Sequence, residues 1–329
     1  HRPQLQENVR PILSKENRMP PQIAVITGPT ATGKTALGIL LAKALDGEVV
    51  SADSMQVYRH MDIGTAKPTP EEMDGVRHHL LDIVEPYEDY SVARYVEDAT
   101  RCVEDILDRG KKPIVVGGTG LYIDALLRGT AFSQRGDAAT REKLSAEYDA
   151  LGGEAMLRRL SEADPAAARR LHPNDKKRIV RALEIFLVTG RTITEHDEET
   201  KKAPPRFLAK KIALSYSERE DLYARINLRV DEMFERGLVG EVRRLLDMGV
   251  TAHHTALQAI GYKEIAEAIE RDDSPEDARE AVKLSSRRYA KRQLSWLRAD
   301  PDVKWILWEK KPDFSRALQI STEYLEDIG

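Results

Sequence analysis

Cysteine is almost absent: Cys102 stands alone in 329 residues. One thiol makes neither an intrachain disulfide nor a thiolate zinc cluster, so a reducing, cytoplasmic setting is expected. No apolar run approaches the ~18 residues of a membrane span, and no secretory leader is visible. An excess of positive charge is missing too: 51 Lys and Arg against 55 Asp and Glu give a formal charge of −4. A chain basic throughout, as many small nucleic-acid binders are, is thereby excluded, but a local basic patch is not. Nor is the chain short of core material. At 41% hydrophobic and 32% charged, wholesale disorder is ruled out. Its length allows about two domains at ~150 residues each, with no internal repeat and no low-complexity tract.

Residues 1–19 are polar and aperiodic, beginning at His1 rather than Met. They read as an extension, a tag remnant or a poorly ordered arm, with Met19 a candidate native start. From Gln22 the pattern sharpens. Ile23–Ile26 is a short apolar run of the kind buried in a parallel sheet, and a helical pattern follows from Lys34 to Leu45. Glu48–Ser51, Leu80–Val84 and Pro113–Val116 read as further strands, and residues 91–109 as an amphipathic helix. Residues 131–203 are rich in Ala, Arg, Glu and Lys, with helical periods and no strand, and end at Pro204-Pro205. Ala209–Leu214 and Val303–Trp308 then read as strands, with helices at 218–236, 238–248 and 275–299. The expectation is an α/β class: a parallel sheet core over 21–130 and 204–329, covered by helices and interrupted by a helical insert at 131–203. Residues 1–20 stand apart from it.

The strongest local signal is Gly28-Pro29-Thr30-Ala31-Thr32-Gly33-Lys34-Thr35. It fits G-x-x-x-x-G-K-[ST], the P-loop, and sits between a predicted strand and a predicted helix, the context that gives the pattern meaning. The glycines let successive N–H groups face one anionic centre. The helix start adds its dipole, Lys34 a mobile charge, and Thr35 a hydroxyl suited to Mg²⁺. Di- or triphosphate binding follows; the reaction stays open. A P-loop ATPase usually places a second acid at the end of a buried strand. The Ile114–Val116 strand ends instead in Gly117-Gly118-Thr119. Asp53, which follows the strand after the P-loop helix, should lie at the same sheet edge as the phosphate site. There it could ligate metal or accept a proton, or serve only as a cap. Asp82 is a weaker candidate inside a structural strand.

Two basic clusters stand out, Arg169–Arg181 and Lys283–Arg298, each with six Lys or Arg. In the second, Arg288 and Arg292 fall at i,i+4, as do Arg287 and Lys291. Tyr289 and Trp296 lie between them and could stack on bases or pack in the core. Such runs are equally often solvated faces.

Taken in order, GPTATGKT (28–35), SADSMQVYRHMDIGTAKPT (51–69), VGGTGLY (116–122), HPNDKKRIVRALE (172–184), AIGYKE (259–264) and RRYAKRQLSWLR (287–298) closely resemble the bacterial tRNA dimethylallyltransferase family, also called tRNA isopentenyltransferase. The resemblance implies a P-loop-kinase-like core with a helical insert gripping the anticodon stem-loop. It implies Mg²⁺-dependent transfer of a dimethylallyl group from dimethylallyl diphosphate to N6 of adenosine 37 of tRNA, with the base flipped into a channel. Gly28–Thr35 would hold the diphosphate, with Thr35 at Mg²⁺ and Lys34 neutralising charge as the C–O bond breaks. Asp53 would accept from the adenine amine as general base, and Ser54, Met55 and Gln56 would read the base. Arg225 would lie near the diphosphate, although it and Arg229 could also be exposed helix charges. Thr119, Arg141, Lys177, Arg178, Ile179, Val180, Arg181, Gln258, Ile260, Gly261, Tyr262, Lys263, Arg287, Arg288, Lys291, Arg292 and Gln293 would form the RNA surface. Ala52 stands where many relatives carry Gly. A monomer and no membrane partner are expected. A small-molecule kinase and an RNA-binding ATPase are the competing readings.

Overall fold

The computed structural model describes residues 19–129 and 136–328. Residues 1–18 of the expected extension, and 130–135 at the start of the expected insert, lie outside them. The first half of the core alternates strand and helix: β1 (Gln22–Thr27), α1 (Lys34–Ala44), β2 (Gly47–Ser51), the short α2 (Pro70–Met73), β3 (His78–His79), α3 (Val92–Asp108), β4 (Lys112–Val116) and α4 (Gly120–Arg128). Ile23, Ala24, Val25 and Ile26 in β1 are all buried, as a strand covered by helices on both faces requires. Ser91 caps α3 by accepting the N–H of Arg94 at 3.2 Å. Its inward stripe, Tyr95, Val96, Ala99, Val103 and Ile106, keeps the 3–4 spacing of one helix face.

The insert follows as α5 (Ala138–Leu151), α6 (Gly153–Ala163), α7 (Pro165–Arg170), α8 (Lys176–Thr189) and α9 (Ile193–Lys202). Leu144, Met156, Leu160, Ile179, Val180 and Leu183 close a core of their own. The chain then returns through β5 (Leu208–Tyr216), α10 (Arg219–Glu235), α11 (Leu238–Asp247), α12 (Tyr262–Glu270), α13 (Arg279–Arg298), β6 (Lys304–Trp308) and α14 (Phe314–Tyr324). The strands form one parallel sheet ordered β3-β2-β4-β1-β5-β6. Because β4 is inserted between β1 and β2, the loops after these three strands open side by side at one sheet edge. Such a crevice at the carboxyl ends of the strands is where open α/β sheets bind ligands.

The strand expected at Leu80–Val84 does not form. Positive φ at Leu80 (66°) and Asp82 (54°) turns the chain there, and pairing with β2 falls on His78 and His79 instead. Val84 makes only an isolated bridge to Tyr58. Apolar content alone suggested a strand, but the turn is dictated by Lys67, whose buried ammonium binds the Asp82 carboxylate at 2.5 Å and the Tyr58 carbonyl at 2.9 Å.

The β2–β3 edge is stapled by Glu48, 4% exposed. Arg109 at the end of α3 binds both its oxygens, at 2.6 and 2.8 Å, and His79 sits 2.7 Å away. The Arg109 hydrogen bonds outweigh burial and hold the Glu48 carboxyl at about 2, far below the usual carboxylate range. A depressed carboxyl stabilises the fold above the unfolded-state pKa, and that stability fades as pH falls toward 2. Urea unfolding should therefore show a loss of about 2 kcal/mol between pH 5 and pH 2 that Glu48→Gln abolishes. An identical pH profile in the variant would remove the staple from the account.

Candidate active site

The P-loop follows β1 directly. Gly33, at φ 90°, turns the chain into α1, whose first-turn N–H groups have no intrahelical partner and face outward as donors. Two side chains from distant elements brace the loop. The Trp308 indole N–H donates to the Thr32 carbonyl at 2.8 Å, and the Phe314 ring lies against Gly33. The Gln293 amide accepts the Thr30 N–H at 2.9 Å while donating to the Gly118 carbonyl at 3.0 Å. The Lys34 ammonium folds back onto the Pro29 carbonyl at 2.8 Å.

A cavity of about 940 Å³ opens from Thr30–Thr35 and takes in Asp53, Gln56, Thr65, Arg225, Arg229, Tyr289 and Gln293. A smaller one of about 290 Å³ is lined by Ser54, Met55, Ile226, Gln258, Ile260, Ser286 and Arg292. Thr30, Ala31, Asp53, Thr65, Arg229, Met233 and Tyr289 border both. Asp53 thus stands between a phosphate-facing chamber and a second chamber on the other side. Its Oδ1 accepts the N–H groups of Met55 at 2.8 Å and Gln56 at 3.1 Å, an Asx turn that locks the carboxylate. Among the described residues Oδ2 accepts no hydrogen bond.

Three cations share the larger chamber. Lys34 is desolvated, and burial with the neighbouring Arg229 charge brings it down to about 7 against the pull of Asp53. Arg229 is pushed down by burial, Asp53 opposing and Arg225 adding to it. Arg225 binds Glu232 at 3.3 Å, whereas Arg229 makes no hydrogen bond among the described residues. A half-buried guanidinium without a hydrogen-bonded anion is costly, and with Lys34 and Arg225 beside it the chamber is suited to an anionic guest. Burial and the Asp53 charge also push the Tyr289 phenol up to about 12, keeping it a neutral donor toward Gly118.

Mg²⁺ usually takes one or two protein oxygens, substrate phosphates and water. The Thr35 hydroxyl and Asp53 fit that sparse set, and both line the larger chamber. Among the described residues no cluster of three His, Cys, Asp or Glu could hold a metal without substrate.

The remaining sequence candidates divide by position. Gly28 and Pro29 are buried beneath the loop. The Thr119 hydroxyl is taken by the Ser54 N–H at 3.1 Å, so it shapes the Asp53 turn and lines neither chamber. Several side chains expected on the RNA surface face inward. Ile179 and Val180 belong to the insert core. Gly261 is buried, and Tyr262 is fully covered. Gln293, 6% exposed, braces the P-loop. Arg287 binds Asn227 at 2.6 Å. Arg181, half-buried, and Arg141, whose side chain stays exposed, both bind the buried Glu184 carboxylate. Lys177, Arg178, Lys263, Arg288, Lys291 and Arg292 are exposed, and the Arg292 guanidinium lies over the Tyr289 ring at 5.5 Å. Arg229, Trp308 and Phe314 were not singled out as ligand-facing from sequence. Arg229 did carry a signal: it is one turn on from Arg225.

A family model described as IPP transferase matches residues 56–300. The tRNA dimethylallyltransferase of Geobacter sulfurreducens is 50% identical over 285 residues, 87% of this chain and 91% of that one. The enzyme of that name from Caldanaerobacter subterraneus is 46% identical over 306 residues, 92% and 97% of the two chains. Among solved structures, the tRNA isopentenylpyrophosphate transferase of Bacillus halodurans superposes with a TM-score of 0.68 at 42% identity, covering 93% of this chain and 97% of its own. A eukaryotic dimethylallyltransferase acting on tRNA gives 0.78 at 32% identity, covering 94% and 80%.

The Lys34 environment has a measurable consequence. A diphosphate placed beside this ammonium raises its proton affinity again, so binding between pH 7 and 10 should take up about one proton and weaken as pH rises. Calorimetry of pyrophosphate binding at pH 8 in two buffers of different ionisation enthalpy reads this directly. The same measurement on Lys34→Met subtracts the proton that pyrophosphate itself gives up, and equal proton uptake in the two proteins would mean that Lys34 is already charged.

Proposed function

The chain belongs to the IPP transferase family, the tRNA dimethylallyltransferases, and from that premise we propose that it transfers the dimethylallyl group of dimethylallyl diphosphate to N6 of adenosine 37 of tRNA. The observation that carries the reading is the pairing of a cationic chamber with a carboxylate at its inner boundary. Thr32, Gly33, Lys34, Thr35 and Arg225 line the larger chamber only, the smaller chamber adjoins it, and Asp53 and Arg229 border both.

In this reading the diphosphate lies in the P-loop with its allylic carbon pointing toward Asp53. The adenine, flipped out of the anticodon loop, enters the smaller chamber between Met55, Gln258 and Ile260. The N6 lone pair attacks the allylic carbon, the carbon–oxygen bond breaks, and pyrophosphate leaves with the bonding electrons. The N6 proton passes to Asp53 Oδ2, the oxygen not engaged by the Asx turn. An exocyclic amine is a weak nucleophile, so its alignment by a locked carboxylate matters as much as proton removal. Lys34, Arg225 and Arg229 stabilise the charge that grows on the leaving group. Mg²⁺, when bound with the substrate at Thr35, would add further neutralisation there. Arg288, Lys291 and Arg292 would meet RNA phosphates, with Lys177 and Arg178 doing so from the insert.

Unmodified tRNA, Mg²⁺ and either prenyl-labelled dimethylallyl diphosphate or labelled ATP separate this reading from its rivals. Prenyl label should appear on the RNA without ATP; ATP consumption without prenylation would defeat the proposal. Asp53→Ala should lower turnover about 10²–10⁴-fold, and near-normal turnover would remove the carboxylate from the chemistry.

The outer face of α13 has its own test. Replacing Arg288 and Arg292 together by Ala should weaken tRNA binding and reduce its salt slope by about 0.7 per lost phosphate contact. A slope equal to that of the unaltered protein would make these arginines solvated surface and nothing more.

A further inference from the structure

Glu241 on α11 is 2% exposed within the largest apolar core, yet no Lys or Arg pairs with it among the described residues. Its carboxylate is held by a second ring of amides. The N–H groups of Asp62, Ile63 and Gly64 converge on it at 3.1, 3.0 and 3.4 Å. The Tyr262 hydroxyl donates to it while accepting the Gly64 N–H at 3.1 Å. Successive N–H groups in a tight turn form an anion nest. Here the protein fills that nest with its own side chain.

The turn so held is a wall of the site. Gly64 and Thr65 line the smaller chamber, and Thr65 and Ala66 the larger. The carbonyls of Thr65 and Ala66 accept the Gln56 side-chain amide at 3.0 and 3.4 Å, and the Gln56 N–H in turn binds Asp53 Oδ1. On the other side, Tyr262 stands two residues after Ile260, which lines the smaller chamber with Gln258 and Ala259. One buried carboxylate therefore joins three segments around the place given to the adenine.

We propose that Glu241, with Tyr262, is a positioning residue for prenyl transfer: it fixes the turn Asp62–Ala66, and through Gln56 the Asp53 carboxylate, against the acceptor base. This rests on the prenyl-transfer reading above. Neither residue touches substrate. Their removal should therefore reduce turnover, since loosening by about 1 Å at a reacting pair can cost ~10²-fold. It should change pyrophosphate affinity little, since Lys34, Arg225 and the P-loop make no hydrogen bond to this turn among the described residues.

The experiment measures, per folded molecule, prenyl transfer to tRNA and the affinity for pyrophosphate with Mg²⁺, in Glu241→Gln, Tyr262→Phe and the double variant. Glu241→Gln should lower kcat about 10–100-fold and leave pyrophosphate affinity within about twofold. Tyr262→Phe should lower kcat about 3–10-fold, and the double variant should match Glu241→Gln, because both act through one turn. Unchanged kcat in both single variants, or a parallel loss of pyrophosphate affinity, overturns the positioning role. Should Glu241→Gln not fold, Tyr262→Phe decides alone, since it removes a single oxygen. An unaltered protein that moves no prenyl group removes the transfer reading and this role with it, whereas an active one with unimpaired variants removes the role only.

Discussion

The chemistry depends on how closely the ends of β1 and β2 can approach across the strand between them. β4 ends in Gly117-Gly118, and both positions are filled from outside. A Cβ on Gly117 would lie 2.3 Å from the Ala52 carbonyl oxygen, and one on Gly118 would lie 2.3 Å from the Gln293 amide nitrogen. The strand end that carries a metal-binding acid in many P-loop ATPases here has no room for any side chain. In its place the backbone before Asp53 presses against β4 from one side, and Gln293 reaches in from α13 to hold Thr30. The missing acid is therefore a geometric requirement: it lets the Asp53 turn and the phosphate loop share one cavity wall.

That closeness has an electrostatic cost, and the cost points to the ligand. Burial and the Arg229 charge lower the proton affinity of Lys34, burial and Arg225 lower that of Arg229, and Asp53 opposes both shifts. Perturbed groups of this kind gather at functional sites because a guest supplies what the empty site lacks. A diphosphate brings the negative charge that would favour the protonated form of Lys34 and balance the guanidinium of Arg229. A neutral guest would leave the repulsion in place. The same field favours a reaction in which negative charge accumulates on the guest, as it does when an allylic carbon–oxygen bond breaks.

Much of this was legible in the amino-acid order, for identifiable reasons. The P-loop and the Asp53 turn are local: a few residues set their own backbone, so spacing suffices to find them. The alternation of strands and helices is likewise local, and only Leu80–Val84 misled, because the contacts that turn it come from Lys67, thirteen residues before the start of that segment. What spacing could not supply is which face of a helix looks inward. Gln293 and Tyr262 lie in runs rich in Lys, Arg or Glu and read as surface. Their partners, the Thr30 amide and the Glu241 carboxylate, are 263 and 21 residues away. Trp308 and Phe314 brace the loop from the far end of the chain for the same reason.

α13 carries a face turned to the P-loop and a basic face turned to solvent on one rigid element. Tyr289 and Gln293, four residues apart, face the nest, while Arg288 and Arg292, also four apart, carry charge on the exposed side. Both faces belong to one 20-residue helix about 10 Å across. In the proposed transfer, a hinge between the basic face and the P-loop would blur the distance from acceptor nitrogen to allylic carbon. A single helix, clamped to the P-loop by a buried amide, admits no such blur. Rigid support of this kind gives the acceptor an effective concentration that a mobile arm could not, and it explains why Gln293 is better placed beneath the loop than among the exposed residues of its own run.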